Sequence, residues 1–152
     1  MADGERAREF LRTEFAEDVT ASGAFRDQHW VELRAEGLTR VCRRLRDDAE
    51  LGYDVLLDVT AVHWPDEPLP MEVVYHLYSL PRNDRLRLKV RTQAFGPVPT
   101  VCGIWQSAEW NERETYDMFG IVFTGHPDLR RILMPDDYTD FPLRKELPLY
   151  RG

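Results

Sequence analysis

Apolar residues recur along this chain with two different periods, and the change from one to the other separates helices from strands. Phe10, Leu11, Phe15 and Val19 stand at helical spacing, which predicts a short amphipathic helix over residues 5–19. Ser22-Gly23 then reads as a breaker, and Trp30-Val31-Glu32-Leu33 as a strand. Leu38, Val41, Cys42, Leu45 and Ala49 make an apolar stripe opposite Arg40, Arg43, Arg44, Asp47 and Asp48, the pattern of a helix lying on a core, with Gly52 as its stop. From Tyr53 the period falls to two, because side chains on a strand alternate faces. Tyr53, Val55, Leu57, Val59 and Ala61 line one face of a first such strand, and Met71 to Leu80 supplies a second. In a third, Leu86, Leu88, Val90 and Thr92 alternate with Arg85, Arg87, Lys89 and Arg91. Pro81-Arg82-Asn83-Asp84 has turn composition, so the last two strands are expected to form an antiparallel hairpin.

After the loop Gly96-Pro97-Val98-Pro99 a further helix is predicted from about Ala108 to Phe119, with Ser107 as its cap, Glu109 in its first turn and Gly120 as its stop. Beyond Gly120 no periodic segment stands out. Pro127, Pro135, Pro142 and Pro148 punctuate Ile121, Phe123, Leu129, Ile132, Leu133, Phe141, Leu143 and Leu147, too much apolar surface for a solvated tail. That surface needs a host, supplied in part by the chain's own domain and for the rest by a partner. The expected class is α+β: over residues 1–106 a mixed or antiparallel sheet flanked by helices, and over 107–152 a helix followed by an extended, irregular segment packed on partner subunits.

Composition narrows the function. An apolar fraction of 43% in 152 residues supports one ordinary core. The net charge of -7 is carried mainly by the half of the chain before His76, which argues against nucleic-acid binding. The later basic clusters, Arg85/Arg87/Lys89/Arg91 and Arg130/Arg131, fit either a solvated strand face or an acidic partner. Acidic residues interrupt the N-terminal segment where a signal peptide would need an apolar run, so neither export nor membrane insertion is expected. Cys42 and Cys102 match no CxxC spacing and read as free thiols of a reducing compartment. His29, His63, His76 and His126 are dispersed, with no zinc, dinucleotide or ATP motif, so no cofactor or metal is expected in this chain.

Chemistry concentrates on the last helix. Trp110, Arg113, Glu114, Asp117 and Met118 project to one side and Ala108, Glu112, Thr115, Tyr116 and Phe119 to the other, which forces carboxylates among large apolar groups. A buried carboxylate calls for a counter-charge, so Arg113, Arg130, Arg131 or Arg144 is the expected partner, and Arg113 and Asp117 stand four residues apart. Glu112, Glu114, Asp117 and His126 are the residues a small acid/base enzyme would use, but flanking arginines suit carboxylates to bracing rather than proton exchange. His126, between Gly125 and Pro127, reads as a turn or capping residue. Trp105 and Trp110 are either core aromatics or interface anchors.

The run from Glu112-Arg113-Glu114 through Asp117-Met118-Phe119-Gly120-Ile121 to Gly125-His126-Pro127-Asp128-Leu129-Arg130-Arg131-Ile132-Leu133, followed by Pro142-Leu143-Arg144-Lys145, resembles the signature of the respiratory complex I 30 kDa subunit family. Leu56-Leu57-Asp58-Val59-Thr60-Ala61-Val62 and Val73-Val74-Tyr75-His76-Leu77 extend the resemblance over about residues 38–148. It implies a non-catalytic subunit of the peripheral arm, on the cytoplasmic side of the bacterial membrane. Such a subunit packs against the forty-nine-kilodalton-type and twenty-kilodalton-type complex I subunits of a proton-translocating NADH:quinone oxidoreductase and supports its quinone-reducing module. The FMN and iron–sulfur clusters would belong to the holoenzyme. Carried onto this chain, the motif residues are Trp110, Glu112, Arg113, Glu114, Asp117, Phe119, His126, Arg130, Arg131, Pro142, Leu143, Arg144 and Lys145, with a role in assembly. The alternative is the corresponding subunit of a hydrogenase-like or other-donor complex.

Overall fold

A computed structural model describes residues 3–130 and Phe141. Arg131, Pro142, Leu143, Arg144, Lys145 and most of the expected C-terminal segment lie outside the described residues. The elements are α1 (Glu5–Glu14), β1 (Val19–Phe25), β2 (Gln28–Leu33), a 3-10 turn (Ala35–Gly37), α2 (Leu38–Asp47), β3 (Val55–His63), β4 (Met71–Ser79), β5 (Asp84–Thr92), β6 (Val98–Pro99), α3 (Ala108–Phe119) and β7 (Phe123–Thr124). Five strands form one sheet in the order β1-β2-β5-β4-β3. Only β2 and β5 run parallel in it, so the sheet is mixed. The α+β class and the β4–β5 hairpin stand as expected.

One face of the sheet carries the core. Val31 and Leu33 of β2, Leu86, Leu88 and Val90 of β5, Met71, Val73, Tyr75 and Leu77 of β4 and Val59 of β3 join Ala7 and Leu11 of α1 and Leu38, Val41, Cys42 and Leu45 of α2 in one buried cluster. Each fully buried aliphatic side chain of this kind contributes roughly 1.5–3 kcal/mol. Ala108, Phe119, Ile121 and Phe123 belong to the same cluster, so the core spans both sides of residue 107. On the opposite sheet face the basic stripe of β5 is answered from within the chain. Lys89 Nζ sits 4.4 Å from the centre of the Trp30 ring, Arg87 donates to Gln28 at 2.9 Å, and Arg91 lies 3.4 Å from Glu72.

Several details differ from the sequence expectation. The first helix ends at Glu14, and residues 19–25 are a strand; Ser22-Gly23 lies inside it, and the turn falls instead at Arg26-Asp27. Gly52 does not end α2, whose last turn closes on Asp48. In β3 a bulge between Leu56 and Asp58 breaks the alternation, so Leu56 enters the core and Leu57 is 50% exposed. Ser107 has no capping hydrogen bond and donates instead to the carbonyl of Leu56 at 3.1 Å. The segment after Gly120 is not wholly irregular, because Phe123–Thr124 pairs with Val98–Pro99. Ile121 and Phe123 are buried in their own domain, so the partner surface that the sequence demanded is not needed for them.

Candidate functional site

Helix α3 is laid along the sheet edge formed by β3. Thr115 Oγ1 donates to the Val59 carbonyl at 2.9 Å, and Ser107 does the same at Leu56, so side chains of the helix occupy backbone acceptors of an edge strand. Just ahead of the helix, buried Trp105 donates from its indole N–H to the Tyr53 carbonyl at 3.0 Å. The helix ends where Gly120 takes the left-handed φ of 82°, with Phe141 packed so close that a Cβ there would collide with its ring. Phe141 also makes edge-to-face contacts with Phe95 and Tyr116.

Glu112 points into the protein and is completely buried. The counter-charge expected from an arginine is not what holds it. Thr100 Oγ1 donates to Oε1, the Val101 backbone N–H donates to Oε2 at 2.9 Å, and the Cys102 thiol lies 3.4 Å from Oε1. Three donors of a single loop thus converge on one carboxylate and tie residues 100–102 to α3. Burial pushes the Glu112 carboxyl above the ordinary carboxylate range, and the hydrogen bonds from Thr100, Val101 and Cys102 offset only part of that rise. The expectation of a carboxylate held ionised by adjacent arginines is therefore corrected for Glu112. Burial, together with the nearby Glu112, likewise raises the Cys102 thiol to about 11.

His126 performs a fastening task of the same kind. Its Nε2 lies 2.8 Å from the Glu109 carbonyl, and its Nδ1 accepts the Asp128 N–H at 2.9 Å. These bonds assign the ring proton to Nε2 and clip the loop after β7 onto the first turn of α3. Cys102, Glu112 and His126 also bring one donor atom each within 4.8 Å of one another, a grouping able to surround a cation. Both ring nitrogens and both carboxylate oxygens are already spent on protein hydrogen bonds, so the grouping reads as a strut. Two cysteines in the whole chain are also too few for a four-thiolate iron–sulfur cluster.

The outward side of α3 has a different character. Trp110 is 54% exposed, and the Arg113 guanidinium lies 5.8 Å from its ring centre. Arg113 Nε is buried without a hydrogen-bond partner, and among the described residues Arg113 forms no ion pair with Asp117. Asp117 is itself fully buried and does have a partner of its own. Arg130 pairs at 3.0 Å with Asp128, at the surface and away from Glu112. Asp58 and Glu114 line a cleft of about 110 Å³ between β3 and α3, with exposed Leu57 beside it in sequence. Sequence reasoning missed Thr100, Val101 and Cys102, which no local pattern links to a glutamate ten or more residues away. It also missed Leu57, which reaches the surface through the bulge, whereas Asp58 lies on the polar face of the strand that the alternation gives it.

Residues 31–151 match the family described as the respiratory-chain NADH dehydrogenase 30 Kd subunit. The chain belongs to that family. Its relatives include the C-type subunit of the NADH-quinone oxidoreductase of Geotalea uraniireducens, 45% identical over 150 residues, covering 98% of this chain and 90% of the relative. A C-type subunit of the Rhizobium etli NADH-quinone oxidoreductase is 50% identical over 113 residues, 74% of this chain but 56% of the relative's length. Among solved structures, a chain of the membrane-bound sulfane sulfur reductase, an archaeal respiratory membrane complex, superposes with a TM-score of 0.76 at 26% identity, over 95% of this chain and 87% of that one. The 30 kDa-family chain is accordingly a subunit of a multi-subunit respiratory complex. No helix among its described residues is long and apolar enough to cross a membrane.

Proposed function

We propose that this subunit is a non-catalytic part of the peripheral arm of a proton-translocating NADH:quinone oxidoreductase, on the cytoplasmic side of the bacterial membrane. In this reading it supports assembly and stability of the quinone-reducing module by packing against the forty-nine-kilodalton-type and twenty-kilodalton-type subunits. NADH, FMN, iron–sulfur clusters and quinone belong to the holoenzyme, and no residue of this chain is assigned to hold them.

The observation that carries the reading is the division of labour on α3. The acid/base candidates Glu112, on the helix, and His126, clipped onto its first turn, are spent on internal hydrogen bonds, whereas Trp110 is more than half exposed and Arg113 and Glu114 are partly exposed beside it. Trp and Arg are the side chains most enriched at the energetic centres of interfaces. Asp58 and Glu114, which have no ion pair among the described residues, offer their cleft to a cationic side chain of the partner.

The test is recovery from gently solubilised membranes. The subunit should copurify with iron–sulfur proteins, and Arg113→Ala or Trp110→Ala should lower the yield of complex before it lowers turnover per assembled enzyme. Normal yield with selectively slow quinone reduction would instead give the chain a direct part in the chemistry. The likeness to the sulfane sulfur reductase chain supports a second reading, the same structural role in a respiratory membrane complex other than an NADH:quinone oxidoreductase. An NADH-oxidising flavoprotein among the copurifying chains separates the two.

A further inference from the structure

The two edges of the five-stranded sheet are treated differently. Along β3 the helix α3 supplies hydroxyl donors to the backbone. Along β1 no described residue does anything comparable. Arg26 and Asp27 both hold left-handed φ, 51° and 63°, which makes the β1–β2 link a two-residue hairpin turn with Phe25 opposite Gln28. In such a hairpin the pair flanking the turn exchanges hydrogen bonds, as do the alternate pairs Gly23 with Trp30 and Ala21 with Glu32. Ser22 and Ala24 therefore turn their backbone N–H and C=O groups away from β2. The partner of Ala24 confirms the phase, because His29 sends its own N–H the other way, to the Asp3 carbonyl at 2.8 Å.

Natural sheets blunt an open edge with charge, proline or bulges along its length. The strand Val-Thr-Ala-Ser-Gly-Ala-Phe contains no charged residue and no proline, and its register shift is confined to its start, between Val19 and Ala21. Phe25 at its end is 61% exposed. On the other side of the strand Arg8 donates to Ser22 Oγ at 3.2 Å and contacts His29 Nδ1 at 3.1 Å, but has no carboxylate partner among the described residues.

We propose that β1 is completed in the assembled complex by an extended segment of a different subunit, which adds to the sheet as a sixth strand. The segment pairs with the outward N–H and C=O groups of Ser22 and Ala24. It presents apolar side chains on the face of Phe25 and Trp30 and a carboxylate on the face of Arg8. A different subunit is the occupant because the relatives of this chain are single subunits of a multi-subunit oxidoreductase. The surface is separate from the outward side of α3, and the inference stands or falls independently of the role proposed for that helix.

Amide hydrogen exchange tests it, comparing the isolated full-length chain with the intact complex. The Ser22 and Ala24 amides should exchange almost freely in the isolated chain and at least about 100-fold more slowly in the complex, while the internally bonded Gly23 amide is protected in both. Equal exchange in the two states overturns the proposal. So does protection already present in the isolated monomer, which would mean that the chain covers its own edge, or protection that appears only in a homodimer. Ala24→Pro removes one outward donor without touching the bonds to β2, so it should fold normally yet be recovered in the complex at a level about tenfold lower. Arg8→Glu should lower recovery in the same way. Recovery of both variants at the wild-type level overturns the proposal, and the exchange comparison on the unmodified chain decides the matter if either variant fails to fold.

Discussion

Removing the Glu112 carboxylate tests whether its three hydrogen bonds, rather than its charge, are what the fold requires. Glu112→Ala leaves the Val101 N–H buried and unmatched, since Val101 is fully enclosed and its N–H has no other acceptor among the described residues. An orphaned buried donor costs about 1–3 kcal/mol, and the void left by the missing side chain adds to that. Thr100 suffers less, because its hydroxyl can turn while its oxygen continues to accept from the Cys102 N–H at 3.1 Å. A total near ~3 kcal/mol is expected from these principles. Glu112→Gln is the discriminating change. Its amide oxygen can accept from Val101 and its NH2 can donate to Thr100 Oγ1, so it should fall within about 1 kcal/mol of wild type. The two variants also differ from wild type in pH dependence. A carboxyl whose folded value is raised above its unfolded value of 4.5 contributes stability that is fully present below that value and is lost as pH climbs through the folded one. Wild type should therefore lose this contribution on going from acid toward neutral pH, and Glu112→Gln should not. Urea unfolding of the isolated chain across this range measures both effects. If Glu112→Gln were as damaging as Glu112→Ala, the negative charge itself would be needed, and a cation must then be compensating it.

Trp110→Ala should change the stability of the isolated chain by less than about 1 kcal/mol, because the side chain is more than half exposed, while recovery of the complex from membranes falls clearly. Thr115→Val, which removes the donor to the Val59 carbonyl at the sheet edge, should cost about 1 kcal/mol in urea unfolding. At Asp18, burial alone would raise the carboxyl, but hydrogen bonds from Arg40 and Arg34 outweigh it and hold it below its ordinary value of 3.8. Its contribution to stability is thus present above 3.8 and vanishes as pH falls through the lower folded value, a component that Asp18→Asn should delete from the acid limb of the unfolding profile. Gly37→Ala should destabilise the chain by a comparable route, since a Cβ there would collide with the Asp18 carboxyl group and displace it from both arginines, a loss visible as a lower thermal midpoint.

What could be read from sequence was whatever carries a strong period or a terminal signal. Helix α3 runs from Ala108 to Phe119 as expected, because Glu109 suits its first turn and Gly120 supplies the left-handed stop. Strand β5 was equally plain, since its alternation of aliphatic and basic residues reflects one buried and one solvated face. Strand β1 was hidden for a physical reason. An edge strand with both faces partly exposed is under no pressure to alternate, Ser22-Gly23 imitates a breaker, and the true turn at Arg26-Asp27 contains no glycine. Leu57 was misplaced because a single extra residue in a ladder reverses the face of what precedes it, and nothing in Leu56-Leu57-Asp58 advertises the bulge. The partners of Glu112 were misread through a sound but incomplete rule. Buried carboxylates need compensation, yet neutral donors from a loop ten residues away serve as well as a guanidinium.

The Glu112-Arg113-Glu114 motif cannot be treated as one functional unit, because consecutive residues on a helix project about 100° apart. Glu112 lies inside the fold, Arg113 rests against an exposed tryptophan, and Glu114 opens onto the cleft beside β3. Damage to the motif should therefore divide into two kinds. Substitutions at Glu112 weaken the chain by itself and reach the complex only through loss of folded subunit. Substitutions at Arg113 and Glu114 leave a chain that unfolds normally yet joins its complex poorly. The same division bears on two of the apolar residues after Gly120. Ile121 and Phe123 are sheltered at home, and among the described residues it is Trp110, Arg113, Asp58 and Glu114, together with the open edge of β1, on which the proposed contacts with other subunits rest.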